Sequence, residues 1–173
     1  MDRVIESAVE RALPQPVDTL SAERVVTTIC RRFPLLVRQL ASRHDNRSGI
    51  DVNDEYDVQD LLHGLLRLHF EDVRPEEWTP SYGGASTRMD FLLKREQVVV
   101  EAKMTRKNLD QKKIISQLSE DIERYRAHPD CRSLLCFVYD PDRRCHNPTA
   151  LEDDLTGQRG ALKVVVVVSP KSI

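Results

Sequence analysis

The sequence predicts an α/β fold, a mixed β-sheet flanked by helices and preceded by a helical N-terminal segment. Three observations carry this. Apolar residues recur at helical spacing in separate stretches. Short runs rich in β-branched residues lie between and after them. The resulting order is helix, strands, helix, strand and strand, which demands a crossover through a long helix and therefore parallel neighbours.

From the N-terminus, residues 1 to about 45 read as helical, a short piece before the turn-prone LPQPVD and a longer one from Ser21, an expected N-cap. Val25, Ile29, Leu36 and Leu40 share one stripe, and Pro34 is expected to kink or break that helix. HDNRSGIDVND is a polar linker around Gly49. A second helix is expected over about 54–70, its apolar face made by Val58, Leu61, Leu62, Leu65 and either Leu68 or His69. Pro75, Pro80 and Gly83-Gly84 punctuate the next stretch, and STRMDFLLK and QVVVEAK read as two strands. A third helix is expected from about Leu109 to His128, with Ile114, Ile115, Leu118, Ile122 and Tyr125 facing one way. SLLCFVYD is a strand ended by Pro141, and the continuous valines of ALKVVVVVS suggest a strand buried on both faces.

Composition narrows the function. The chain has 173 residues, 40% apolar and 31% charged, with a net charge of -2. A chain that coats nucleic acid by charge alone is far more basic, so any such surface must be local. Residues 86–113 supply one, with eight Lys or Arg against four Asp or Glu. Residues 51–77 are acidic instead, nine against two. Cys30, Cys131, Cys136 and Cys145 match no zinc spacing and are expected as buried free thiols. MDRVIESAVERAL lacks a signal-peptide core, and the longest apolar run, Val164 to Val168, is too short to span a bilayer. A cytoplasmic location and no membrane partner are expected.

The chemistry gathers on the first two strands. A hairpin turning near Arg95-Glu96 pairs Asp90 with Glu101, their Cβ atoms about 5 Å apart on one face. Period-2 alternation adds Lys103 to that face and sends Val98, Val100 and Ala102 to the other. Two carboxylates this close repel when ionised and call for a cation. Mg²⁺, or Mn²⁺ in its place, suits hard oxygen ligands and activates water toward a phosphodiester. Lys103 could position or deprotonate that water, or stabilise charge on the phosphate. The bland alternative for the triplet is a cross-strand ion cluster, which is costly between such apolar strands.

Met89-Asp90, a ten-residue gap and Glu101-Ala102-Lys103 together resemble the motif of the PD-(D/E)xK nuclease superfamily. Met89 departs from the motif's nominal proline. The stretch from EYDVQDLLHGLLRLHF through WTPSYGGASTRMDFLLK looks like the type II restriction-endonuclease-like branch of bacterial restriction and anti-phage systems, and the resemblance covers roughly residues 52 to 168. The resemblance implies a restriction-endonuclease-like core over 51–173, with 1–50 as a helical segment and linker. It implies Asp90, Glu101 and the Ala102 carbonyl as metal ligands and Lys103 as the residue serving the attacking water. A further carboxylate from the preceding helix is implied, for which helical geometry favours Glu55 or Asp54, with Glu55 preferred. Gln117, in the helix after the E-x-K strand, is implied as a catalytic residue that orients water. The Gln-to-Tyr spacing of the exonuclease-like branch is not reproduced.

The resemblance thus implies a Mg²⁺-dependent DNA endonuclease. The basic run KMTRKNLDQKK beside Lys103 offers Arg106, Lys107, Lys112 and Lys113 as phosphate contacts, and Arg88, on the face of Asp90, is a similar candidate. The small Gly83-Gly84-Ala85-Ser86 loop would admit a nucleic-acid backbone. Because no separate recognition domain remains, either a homodimer or a partner protein docked through the N-terminal helices is expected. Two rivals stay open, a catalytically silent nuclease fold serving as a binding or scaffold subunit, and an RNA-cleaving effector. Glu55 as a helix-dipole acid, Gln117 as a surface amide and the basic run as a solvated helix start are the plain alternatives at those positions. Trp78, Tyr82, His63 and His69 read as packing residues.

Overall fold

The computed structural model describes residues 19–76, 89–109 and 111–171. The first predicted helical piece, LPQPVD, Trp78, Tyr82, the Gly83-Gly84-Ala85-Ser86 loop and Arg88 lie outside these residues. The described chain runs α1 (Thr19–Ala41), a 3-10 turn (His44–Asn46), α2 (Glu55–Arg67), β1 (Val73–Pro75), β2 (Phe91–Leu93) and β3 (Val98–Met104). It continues with α3 (Gln111–Tyr125), β4 (Ser133–Tyr139), α4 (Pro148–Leu155), β5 (Gly157–Arg159) and β6 (Leu162–Ser169).

The six strands form one sheet in the order β1-β2-β3-β4-β6-β5. β1, β2 and β3 are antiparallel neighbours, β3, β4 and β6 are parallel, and β5 returns antiparallel on β6. This is the expected mixed sheet, and α3 is the crossover between β3 and β4. The three parallel strands are apolar nearly throughout because helices cover both of their faces. Val98, Val100, Ala102, Phe137 and Val167 face α1 and α2, whereas Val99, Cys136, Val138 and Val166 face α3 and α4.

Several expectations are corrected. Ser21 is the third residue of α1 and not its cap. Pro34 does not end that helix, which continues to Ala41. Proline costs roughly 3 kcal/mol inside a helix, and the burial of Phe33 beside it offsets this. Phe33 is fully buried and meets the rings of Phe137 and Tyr139 edge-on at 5.3 and 5.2 Å. The buried stripe of α1 is Ala22, Val26, Cys30 and Phe33, one position round from the expected one, while Val25 and Ile29 are only partly covered. Ala22 and Cys30 are small, which lets the helix lie close to the sheet.

The polar linker folds back onto α1, where Ile50 N donates to Leu40 O at 3.1 Å. A Cβ on Gly49 would stand 2.4 Å from Ala41 O, so only glycine fits there. In α2, Val58, Leu62 and Leu66 are buried, but Leu68 is exposed and Phe70 takes its place in the core. His63 packs against Phe91 with ring centroids 5.4 Å apart, a structural contact. All four cysteines are free and buried.

The strands β1 and β5 and the helix α4 were not foreseen. The strands have three residues each, too few for a period to show. α4 has a readable start, since Asn147 Oδ1 accepts from Ala150 N at 3.0 Å and Pro148 is its first residue. Its eight residues make a weak stripe, however. Its Glu152 closes the open edge of β6, accepting from Val168 N at 2.7 Å.

Candidate active site

The hairpin register places Phe91, Leu92 and Leu93 opposite Val100, Val99 and Val98. One step further, Asp90 stands across from Glu101, as the sequence implies. β2 ends at Phe91, so beyond it the strand edge of β3 needs other partners. Asp90 Oδ2 accepts from Ala102 N at 2.8 Å, and Asp90 N donates to Glu101 Oε1 at 3.4 Å. Each carboxylate thus holds the backbone of the opposite strand, which fixes their separation. Glu101 Oε1 also accepts from the Tyr125 hydroxyl, reaching down from the last turn of α3.

Glu101 Oε2 faces Lys103 Nζ at 3.7 Å. The same ammonium lies 3.5 Å from Asp121 Oδ2, again on α3. Arg124, one turn along, pairs with Asp121 Oδ1 at 2.7 Å. Asp121 and Tyr125 of α3 therefore reach the ammonium of Lys103 and the carboxylate of Glu101, which the hairpin carries beside Asp90.

Burial governs the electrostatics. It pushes Glu101 up to about 8, with Asp90 adding repulsion. Burial likewise lifts Asp90 to about 6 against the Ala102 amide and Lys103, which pull it down. Burial alone would lower Lys103, but Asp121, Glu101, Glu55 and Asp90 together outweigh it and hold the ammonium above the ordinary lysine range. Burial and Glu101 raise the Tyr125 hydroxyl, which keeps it a donor. The centre is over-supplied with negative charge.

That surplus is what a divalent cation would balance. Asp90 and Glu101 offer hard oxygens, the type Mg²⁺ takes. Ala102 N–H points at Asp90, and within a strand the carbonyl of the same residue projects to the same edge. The donor set therefore fits a cation held by two carboxylates and a main-chain oxygen. Among the described residues there is no group of three or more His, Cys, Asp or Glu side chains arranged to hold a metal.

The other candidates fall in different places. Glu55 is half-buried at the first turn of α2, near enough to Asp90 and Lys103 to act on both charges. Asp54 is committed as the helix cap, its side chain accepting from Tyr56 N and Asp57 N at 2.9 and 3.0 Å. Gln117 is exposed, one turn before Asp121, and lines a recess with Arg106, Lys107, Leu109 and Lys113. A tight turn shapes that recess, with Leu109 N donating to Arg106 O at 2.8 Å. Lys112 is also exposed but borders a second recess with Gln111, Ile115 and His146.

Sequence reasoning missed Asp121 and the Tyr125 hydroxyl. Periodicity puts Tyr125 on the apolar stripe, and its ring is indeed buried there. Asp121 carried a signal, because it interrupts the run Leu118, Ile122 and Tyr125 with a charge on the buried face. An acid at that spacing is expected only where a partner waits beneath it.

The model of the DpnII-MboI restriction endonuclease family, described as REase_DpnII-MboI, matches residues 24–171. The chain belongs to that family, and so to nucleases that act on DNA. No curated protein and no solved structure matches it. Among the described residues no helix is long and apolar enough to cross a membrane.

Proposed function

From that membership we propose that the chain is a Mg²⁺-dependent DNA endonuclease of a restriction or anti-phage system, with Mn²⁺ able to replace Mg²⁺. The single observation that carries this is the pairing of half-buried Asp90 with buried Glu101, each clasped onto the other's strand, with Lys103 beside them. Asp90, Glu101 and the Ala102 carbonyl hold the cation, with Glu55 as a further carboxylate. A cation held there polarises the phosphodiester and lowers the pKa of a bound water. Lys103, whose ammonium the surrounding carboxylates favour, serves the attacking water or the phosphate oxygen. Gln117 lines the basic recess, where it can orient water or substrate. Arg106, Lys107 and Lys113 line that recess and take backbone phosphates. Lys112, on the neighbouring recess, and Arg88, which lies outside the described residues, are further phosphate contacts in this reading.

For cleavage of both strands we propose a homodimer or a partner protein. An apolar groove between α1 and α2, lined by Val25, Ile29, Leu36 and Leu65, offers a surface for it on the N-terminal helix.

The test is incubation with plasmid, linear double-stranded DNA, single-stranded DNA and RNA, with and without Mg²⁺ or Mn²⁺. Metal-dependent cleavage of DNA is expected. Lys103→Ala should abolish it while folding and DNA binding persist. Equal turnover by Lys103→Ala and parent would sink the assignment. Preferred cleavage of RNA would favour the effector, and no cleavage with no metal-induced rise in melting temperature would favour the scaffold.

A further inference from the structure

Lys103 is shared between two carboxylates that belong to different layers. Glu101, on the sheet, has its Oε1 filled by the Asp90 amide and the Tyr125 hydroxyl, so only Oε2 faces the ammonium, at 3.7 Å. Asp121, on α3, has its Oδ1 filled by Arg124 at 2.7 Å. Its Oδ2 is buried, has no hydrogen-bond partner among the described residues, and faces the same ammonium at 3.5 Å. Buried acceptors are nearly always filled, so an open one directed at a cation needs an explanation. A purely structural acid would not serve here, since an apolar residue would suit the stripe of α3 better.

We propose that Asp121 is the positioning residue for Lys103, taking over its ammonium when Glu101 Oε2 is engaged by a divalent cation. This rests on the nuclease reading above. A divalent cation on Glu101 Oε2 repels the ammonium that faces the same oxygen, because both are positive. Lys103 then needs a second seat on the side away from Glu101. Asp121 Oδ2 is that seat, and a displacement of well under ~1 Å turns its 3.5 Å separation into a charge-assisted hydrogen bond. Arg124 holds Asp121 from the other oxygen, so the carboxylate cannot swing away. Tyr125 holds Glu101 by Oε1, so Glu101 does not follow the departing ammonium. α3 thus presets both sheet-borne groups from above, and Lys103 keeps its aim at the reacting phosphate.

The test uses Asp121→Asn, which keeps the shape and removes the charge, with Asp121→Glu as the charge-retaining control. Lysine ammonium groups are followed by ¹⁵N NMR with and without millimolar Mg²⁺. The parent should show a slowly exchanging Lys103 ammonium in both states. Asp121→Asn should lose that signal when Mg²⁺ is added. Its retention in the Mg²⁺-bound variant would overturn the proposal. In cleavage assays Asp121→Asn should lower kcat about 10- to 100-fold, equivalent to ~1.4–2.7 kcal/mol. Its affinity for DNA, measured in Ca²⁺, and for Mn²⁺ should stay within about twofold of the parent, and Asp121→Glu should recover part of the rate. An Mn²⁺ affinity lowered as far as in Glu101→Gln would make Asp121 a metal ligand and refute positioning. If Mg²⁺ shifts no resonance, the nuclease reading fails first. The metal-free exchange rate then decides, faster in Asp121→Asn if Asp121 anchors Lys103 and unchanged if it does not.

Discussion

Glu101→Gln should make the metal-free protein more stable, and increasingly so as pH rises. Gln keeps the size of Glu101 and can still accept from Tyr125 and Asp90 N, so the packing is retained. What it removes is a carboxyl whose ionisation burial suppresses in the folded state. Folding raises Glu101 from 4.5 to about 8. A carboxyl raised in the folded state gives stability that is complete below its unfolded value and is lost as pH climbs through its folded value. At pH 7 the loss is on the order of 3 kcal/mol. Lys103 gives up one of its carboxylates in the variant and keeps Asp121. The net gain is therefore about 1–2 kcal/mol, a rise of roughly 2–8 °C in Tm for a chain of this size. Thermal melts in chelator from pH 4 to 8.5 measure it. Parent and variant should coincide near pH 4 and diverge toward pH 8. Millimolar Mg²⁺ should raise the parent's Tm and not the variant's. A variant that melts below the parent across the whole range, or a difference that shrinks with pH, would refute the account of a destabilised carboxylate pair.

Two further predictions concern the fold and the DNA surface. Phe33→Ala should cost about 3–5 kcal/mol by chemical denaturation, because it empties a fully buried ring site between Phe137 and Tyr139; a loss under ~1 kcal/mol would mean α1 is not integral to the core. Replacing Arg106 and Lys107 by Ala should weaken DNA binding for all sequences alike and lower the slope of log affinity against log salt by about 2, read by fluorescence anisotropy. An unchanged slope would place the phosphates elsewhere.

Much of the centre was readable because strand geometry is local. A side-chain period of 2 and a short turn are enough to set Asp90 across from Glu101 and to bring in Lys103, and the observed register agrees. The valine run of β6 announced burial on both faces, and the D-x10-E-x-K pattern pointed to the type II restriction-endonuclease-like branch, with which the matched DpnII-MboI family is consistent. The helices were less readable in detail. Periodicity locates a helix but leaves its rotation open wherever several neighbouring positions are apolar. In α1 the choice between Val25, Ile29 and the observed Val26, Cys30 turned on which small residues let the helix reach the sheet.

What the sequence by itself determined is the sheet-borne triplet, Asp90, Glu101 and Lys103, and the α/β framework that holds it. Only the tertiary structure decided the layer above. Asp121 and Tyr125 reach the triplet because α3 crosses back over β3 on its way to β4, and Gln117, one turn earlier on the same helix, is left exposed beside the basic turn. That difference depends on the height and rotation of a helix over a sheet. Packing between distant segments sets both quantities, and a local repeat of 2 or 3.6 residues contains neither.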